Sequence, residues 1–218
     1  MSVVKQIQVK SIHSSLANAF VKKSHYSGKV APNSQLHFGC YLGGRLLGVM
    51  QFGPSLDKAK VQGLVKNTGW NEFIELNRMA FADELPKNSE SRCIAIALRL
   101  IKKNAPHIKW VISFADGTQC GDGTIYRASG FRLTKIGKNT TIGYSEKLGE
   151  VVAKHGTRTE IQGKVRLLDG YQLRYIYFID KSKEKDLTVP ILPYSDIDKS
   201  NAGMYRGKKI TRLERRAV

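Results

Sequence analysis

The chain has 218 residues, and its 36 lysines and arginines against 18 aspartates and glutamates give a formal charge of +18. That length fits one large domain, or one domain with a smaller appendage. Three scattered cysteines without C-x-x-C spacing argue against a disulfide framework and a zinc knuckle, so we expect reduced thiols. No stretch reaches the roughly 20 apolar residues of a membrane span, and no secretory signal begins the chain, which predicts a cytoplasmic protein.

The excess of positive charge predicts a polyanionic partner. A surface with a strong positive potential attracts phosphate backbones, and nucleic acid is therefore the first expectation. The alternative is a generically basic protein whose charge only aids solubility. A membrane surface is a weaker candidate than either.

The first 52 residues predict a β-strand, a helix and a hairpin. Residues 5 to 10 alternate as a short strand, and residues 11 to 26 place apolar side chains at helical spacing. Leu36 to Leu42 and Arg45 to Phe52 are strand patterns on either side of a Gly-Gly dipeptide, which suits the positive φ angles of a tight turn.

The middle of the chain predicts a strand, a helix and a second, central strand. Residues 73 to 81 alternate, so that Arg78 shares one face with apolar neighbours. Residues 89 to 103 have helical spacing behind a capping Asn88 or Ser89. Residues 110 to 115 are a continuous apolar run, typical of a central strand. A glycine-rich loop at 117 to 123 and a short helix at 124 to 129 follow, and further strands are predicted at 131 to 136, 140 to 145 and 172 to 179.

The C-terminal part changes in composition after Asp180. A charged stretch is followed by two prolines and by a terminal run with six basic residues and a single glutamate. This balance favours either a phosphate-contacting tail or a solvated one. We therefore predict one folded domain over residues 1–180 and a basic C-terminal extension over residues 181–218.

The order of elements resembles the GNAT acyltransferase fold, an α+β fold with a mixed central β-sheet flanked by helices. That resemblance implies an acyl-CoA donor, acetyl-CoA or similar, whose pyrophosphate lies on the amides that open the helix after the fourth strand. The corresponding loop reads DELPKNSES rather than the glycine-rich Q/R-x-x-G-x-G/A. Lys87, Asn88, Ser89 and Ser91 are the phosphate-contacting candidates there.

Four segments resemble a narrower group. They are HYSG at 25–28, ELNRMAFADELPKNSESR at 75–92, FADG at 114–117 and GTIYRASGF at 123–131. Together they are similar to the Mom DNA-modification proteins of bacteriophages. The resemblance implies a transferase that converts adenine in double-stranded DNA to N6-carbamoylmethyladenine in the cytoplasm of a bacterial host, and so gives protection from host restriction endonucleases.

The same resemblance implies the site residues. The active-site histidine and tyrosine of the family correspond to His25 and Tyr26, its aspartate to Asp116 and its helix tyrosine to Tyr126. Its strand arginine corresponds to Arg78 and its serine to Ser91, and we group these two with the cofactor-binding residues. The family is associated with iron, and His25 with Asp116 is a ligand pair compatible with Fe2+, one short of the usual facial triad.

Each of these residues also has a structural interpretation. His25 suits a helix C-terminus, where a positive imidazolium meets the negative end of the dipole. Asp116 before a glycine is a common turn residue. Tyr126 on a short helix is either a general acid or a core aromatic. Arg78, if buried, needs an anionic partner.

Two other functions stay open at this stage. One is an ordinary GNAT N-acetyltransferase that acts on a protein or a small amine. The other is a non-enzymatic DNA-binding protein, which would bind with a steep salt dependence and leave the bases intact. An adenine methyltransferase is disfavoured because no D/N-P-P-Y/F/W motif occurs.

Overall fold

The computed structural model describes residues 3–25, 27–117, 121–139, 142–153, 163–168, 170–200 and 202. The strands are β1 Gln8–Ser11, β2 Leu36–Leu42, β3 Arg45–Gly53, β4 Phe73–Phe81, β5 Trp110–Asp116, β6 Arg132–Asn139, β7 Ile142–Ser145, β8 Glu150–Ala153, β9 Val165–Leu167 and β10 Gly170–Phe178. The helices are α1 Ser14–Ser24, α2 Lys58–Gln62, α3 Ser89–Asn104, α4 Thr124–Ala128 and α5 Ser195–Lys199, with 3₁₀ helices at Val3–Gln6 and Lys181–Asp186.

Seven strands form one sheet in the order β1-β2-β3-β4-β5-β10-β6, and β8-β7-β9 form a separate antiparallel sheet. Strands β1 to β4 pair antiparallel with their neighbours. The pair β4 and β5 is parallel, and its register covers only Phe73↔Trp110 to Glu75↔Ile112. The mixed sheet with flanking helices is the predicted α+β architecture.

Local sequence explains the elements nearest to the site. Gly43 and Gly44 turn β2 into β3 with φ angles of +57° and +77°, which a residue with a Cβ seldom adopts. Helix α1 begins after His13, whose ring accepts the Ser15 amide. Helix α3 ends with Lys102 and Lys103 in its last turn, where cations offset the negative end of the dipole.

The chain divides into two compact units. The first comprises residues Met1–Ser113, Ile125–Arg132 and Ile176–Pro190. Under α1 its core contains Ala17, Val21 and Val49, all fully buried. The Phe73 and Trp110 rings stack with centroids 4.6 Å apart, where β4 and β5 pair.

The second unit comprises residues Phe114–Thr124, Leu133–Tyr175 and Ile191–Val218. The buried Tyr175 hydroxyl donates to the Asp122 carbonyl at 2.6 Å. Arg174 Nε donates to Thr134 Oγ1 at 2.9 Å, which ties β10 to β6. The 181–218 extension remains a prediction, since residues 201 and 203–218, with the terminal basic run, lie outside the described residues.

Several predicted boundaries need correction. The predicted helix at 11–26 spans Ser14–Ser24, and the predicted strand at 5–10 is a 3₁₀ turn followed by β1. Helices α2 and α5 and strands β8 and β9 were not predicted, because they are only three to five residues long and carry no clear periodicity. Among the described residues, no helix is long and apolar enough to span a membrane.

Candidate active site

His25 caps the C-terminus of α1 and begins a tight turn. Its backbone N–H donates to Val21 O at 2.9 Å, and Gly28 N donates back to His25 O at 2.8 Å. The ring Nδ1 accepts the Ser27 amide at 3.1 Å and lies 2.8 Å from Ser27 Oγ. Because a backbone N–H can only donate, Nδ1 carries no proton, and the neutral ring holds its proton on Nε2.

The surroundings of His25 keep the ring neutral. Burial, and then the positive charge of Arg78, lower the pKa of His25 from 6.5 to about 4. His25 does lie at the C-cap of α1, as the structural interpretation expects, but its imidazolium form is disfavoured at neutral pH. At neutral pH this side chain is a hydrogen-bond donor through Nε2.

Arg78 holds the turn that follows His25. It lies on β4, and its Nε donates to Lys29 O at 3.0 Å while Nη1 donates to Asn77 O at 2.7 Å. Among the described residues, the hydrogen bonds of Arg78 go to these backbone carbonyls, and its charge also acts on the carboxyl group of Glu75. Arg78 is thus tied to the 25–29 turn that carries His25.

Glu75 is a titratable residue of β4 that the sequence interpretation did not single out. Burial raises the pKa of its carboxyl group, while hydrogen bonds from Ser55 and Asn77 and the charge of Arg78 partly offset that rise. The Asn77 side chain also accepts from Ser34 Oγ at 3.0 Å. Strand alternation places Glu75 and Asn77 together, but their burial depends on residues 53–55, which alternation cannot predict.

Tyr126 lies on α4 and is 8% exposed. Its hydroxyl is 2.9 Å from Ser113 Oγ on β5, and Ser113 Oγ is in turn 3.2 Å from Leu76 O on β4. The ring packs edge-on against Phe131 with centroids 5.5 Å apart. The ring of Tyr126 thus packs in the core and its hydroxyl belongs to a polar chain between β4 and β5, while its role as a general acid stays a prediction.

Asp116 is the last residue of β5 and lies in the second unit. The adjacent Gly117 amide donates to Tyr171 O at 2.8 Å, and a Cβ on Gly117 would come within 2.9 Å of that oxygen. The glycine after Asp116 is therefore required by close approach of β10. Tyr26 lies outside the described residues, as do residues 118–120.

The predicted phosphate-contacting residues occupy different environments. Ser89 is fully buried, and its hydroxyl donates to Pro86 O. Asn88 precedes α3 with a φ of 70°, and its side chain makes no capping bond. Ser91 Oγ donates to Asn88 O at 3.2 Å. Lys87 is exposed.

A cavity of about 710 Å³ lies beside the first three turns of α3 in the first unit. Asn88 and Ser91 line it, together with Lys5, Arg92 and Arg99. The Arg92 Nε is buried and has no hydrogen-bond partner among the described residues, while its Nη2 donates to Lys5 O at 3.3 Å. The lining carries three cations and no carboxylate, which suits an anionic ligand.

The described residues do not fit the expected iron pair. They contain no group of three or more histidine, cysteine, aspartate or glutamate side chains that could hold a metal ion. His25 Nδ1 is engaged by the Ser27 amide, which leaves the proton on Nε2, the other nitrogen that would bind a metal. We derive no step through iron.

The comparisons with known proteins decide the family. The model of the Mom protein family matches residues 6–196. The chain belongs to this family. It is 33% identical over 199 residues to "Methylcarbamoylase mom" of Escherichia phage Mu, an alignment that covers 86% of this chain and 81% of the relative.

Solved structures identify the fold. An N-acetyltransferase from Staphylococcus aureus Mu50 matches with a TM-score of 0.50 and 10% identity, over 79% of this chain and 98% of that protein. A GNAT family acetyltransferase from Elizabethkingia anophelis, with acetyl-CoA bound, has a TM-score of 0.49 and 13% identity, over 79% of this chain and 98% of that protein. The predicted GNAT-like fold is confirmed, and the similarity to the methylcarbamoylase supports a transferase.

Proposed function

We propose that this protein converts adenine in double-stranded DNA to N6-carbamoylmethyladenine and thereby protects DNA from restriction endonucleases. The observation that carries the proposal is the similarity to the phage Mu methylcarbamoylase along most of both chains. The net charge of +18 supports a DNA substrate independently, because it favours a polyanion.

The roles of the site residues are assigned from the family resemblance and, for His25 and Arg78, from their surroundings. His25 presents a neutral Nε2–H, which suits a hydrogen bond to an oxygen of the donor group or a ring nitrogen of adenine. Arg78 positions the turn that carries His25. Asp116 is assigned to accept the proton that adenine N6 loses, with Tyr26 and Tyr126 as the further catalytic residues. An enzyme of this kind takes its base out of the duplex stack.

The donor is assigned to the cavity beside α3. An acyl-CoA-like molecule carries a pyrophosphate, and Arg92, Arg99 and Lys5 supply charge for it where no carboxylate lines the cavity. We expect Arg92→Gln with Arg99→Gln to weaken binding of coenzyme A by at least about tenfold, as measured by calorimetry. Lys102→Gln with Lys103→Gln, at the other end of α3, removes the same charge and is the matched control, which should bind normally. Equal affinity of the intact chain, the variant and the control for coenzyme A would show that the donor does not bind in this cavity.

Expression in bacteria tests the function directly. Nucleosides of the host DNA are analysed by mass spectrometry after expression of the intact chain or of the His25→Ala, Asp116→Ala variant. We expect a heavier adenosine with the intact chain alone, and resistance of that DNA to restriction digestion. Unmodified DNA in both cultures would instead favour an N-acetyltransferase of proteins or small amines, or a DNA-binding protein without catalysis.

A further inference from the structure

Acidic residues are missing from the first quarter of the chain. Residues 1–56 contain six lysines and arginines and no aspartate or glutamate, and the first acidic side chain is Asp57. This stretch includes β1, α1, β2 and β3, all in the first unit. A surface built from these elements carries positive charge with no carboxylate of its own.

Three lysines of this stretch flank His25. Lys22 and Lys23 form the last turn of α1, directly before His25, and Lys29 ends the turn that follows it. All three side chains are exposed. We call these three lysines the basic rim. Arg78 holds the backbone of the rim at Lys29, because its Nε donates to Lys29 O at 3.0 Å.

The basic rim is not explained by helix stabilisation alone. Lysines in a last turn offset the helix dipole, and α3 has the same pair in Lys102 and Lys103. Lys29, however, lies beyond the end of α1 and gains nothing from that dipole. Among the described residues, no ion pair involves any lysine of the rim, whereas exposed cations elsewhere pair with carboxylates, as Lys60 does with Asp57 at 2.7 Å and Arg132 does with Glu184 at 2.8 Å.

We propose that the basic rim binds backbone phosphates of duplex DNA beside the nucleotide that His25 contacts. The inference rests on the proposed function, since it names the surface through which that function reaches its substrate. Phosphates neutralised by lysines release counterions, so each contact leaves a measurable trace in the salt dependence of binding. The rim would also position the DNA, because lysines that precede and follow His25 in the chain hold the DNA strand over the histidine.

Binding of a fluorescent DNA duplex, measured by anisotropy at several salt concentrations, tests the rim. We expect Lys22→Gln with Lys23→Gln to lower the slope of log affinity against log salt by about 2, and the addition of Lys29→Gln to lower it by about 3 in total. Glutamine keeps the helix propensity of lysine, so α1 is retained, and circular dichroism verifies it. The control is Lys102→Gln with Lys103→Gln, which removes the same charge as Lys22→Gln with Lys23→Gln from an equivalent helix end. Its slope of log affinity against log salt should fall less than that of the rim variant.

The outcomes separate this inference from the proposed function. If the rim variants keep the steep slope of log affinity against log salt that the intact chain shows, the rim does not bind phosphates, but the proposed DNA modification is unaffected. Equal losses in the rim variant and in the α3 control also overturn this inference, because the effect is then one of total charge. Absence of binding by the intact chain at low salt overturns both, while a loss confined to the rim variants supports the rim.

Discussion

Helix α1 carries the same three-residue turn at both of its ends, and the two turns differ in what surrounds them. At the N-terminus, His13 Nδ1 accepts the Ser15 amide at 3.2 Å and lies 2.8 Å from Ser15 Oγ. At the C-terminus, His25 makes the same two contacts with Ser27. The first turn is exposed and caps a helix, while the second is partly buried beside Arg78. Local sequence thus makes the turn, and tertiary packing decides its chemistry.

The largest expected difference between the two turns is in catalysis. We expect His25→Ala to lower adenine modification by at least about 100-fold, because a positioned donor or acid–base group contributes that much. His13→Ala should keep its activity and lose about 1 kcal/mol of stability with the N-cap contact. Quantitative mass spectrometry of DNA nucleosides and thermal unfolding measure the two effects. Equal activity of His25→Ala and His13→Ala would mean that the partly buried turn has no catalytic role that the exposed turn lacks.

A glutamine at position 25 sharpens this comparison. The amide of His25→Gln retains an N–H donor but offers neither a titratable base nor an imidazole ligand. A neutral-donor role therefore predicts that His25→Gln keeps more activity than His25→Ala in the same assay. Indistinguishable losses in the two variants would contradict that role and favour a basic or ligand role for Nε2.

The next effect is on stability in acid. Since the pKa of His25 is lowered from 6.5 to about 4, the unfolded chain binds a proton in this interval and the folded chain does not. The free energy of unfolding should consequently fall as the pH drops from 6.5 to about 4, by about 2 kcal/mol after allowance for partial exposure. Urea unfolding of the intact chain and of His25→Gln measures it. A pH dependence equal in both proteins would show that His25 is not its source.

The pKa of His37 is lowered as well, by burial and then by the charge of His13, so its contribution has the same sign. His37 is 7% exposed, and its Nδ1 lies 3.2 Å from Gln51 Nε2. The difference between the intact chain and His25→Gln isolates the contribution of His25, because His37 is unchanged in both. An additional His13→Ala variant separates the His13 charge in the same way.

A smaller effect is expected from the serine of each turn. Ser27→Ala removes the hydroxyl beside Nδ1 but keeps the backbone amide bond, so a net loss of about 1 kcal/mol is expected, or about fivefold in activity. Ser15→Ala is the matched change in the exposed turn and should leave activity unaltered. Nucleoside analysis of both variants measures the comparison. A full loss of activity in Ser27→Ala would mean that its hydroxyl contacts the substrate directly.

The fold was largely readable from the sequence because its central elements are long and periodic. Strand β4 has the predicted bounds, and β2, β3, β5 and α3 agree within a residue or two. Alternation and helical spacing report which face is buried, and those patterns persist over seven or more residues there. In the small sheet, β7 falls within the strand predicted at 140–145, whereas β8 and β9, of four and three residues, are too short for a periodic signal.

The site was less predictable, because its chemistry depends on contacts between distant segments. Motif resemblance identified His25 and Arg78, but the tautomer of His25 follows from the Ser27 amide, and the partner of Arg78 is a carbonyl 49 residues away. Nothing local in the sequence indicates that Ser89 is buried while Ser91 lines a cavity. Residue types could thus be predicted, whereas their protonation and exposure required the tertiary structure.

The smallest expected effect concerns Arg78, the residue that distinguishes the surroundings of the two turns most directly. Its charge is the second cause of the lowered pKa of His25, after burial. Arg78→Gln removes that charge, so the pKa of His25 should rise, but stay below 6.5 because burial remains. NMR titration of the His25 ring measures the shift, with His13 in the same spectra as an internal reference. If the pKa of His25 stayed where it is, burial alone would keep the ring neutral, and Arg78 would act only through its bond to Lys29 O.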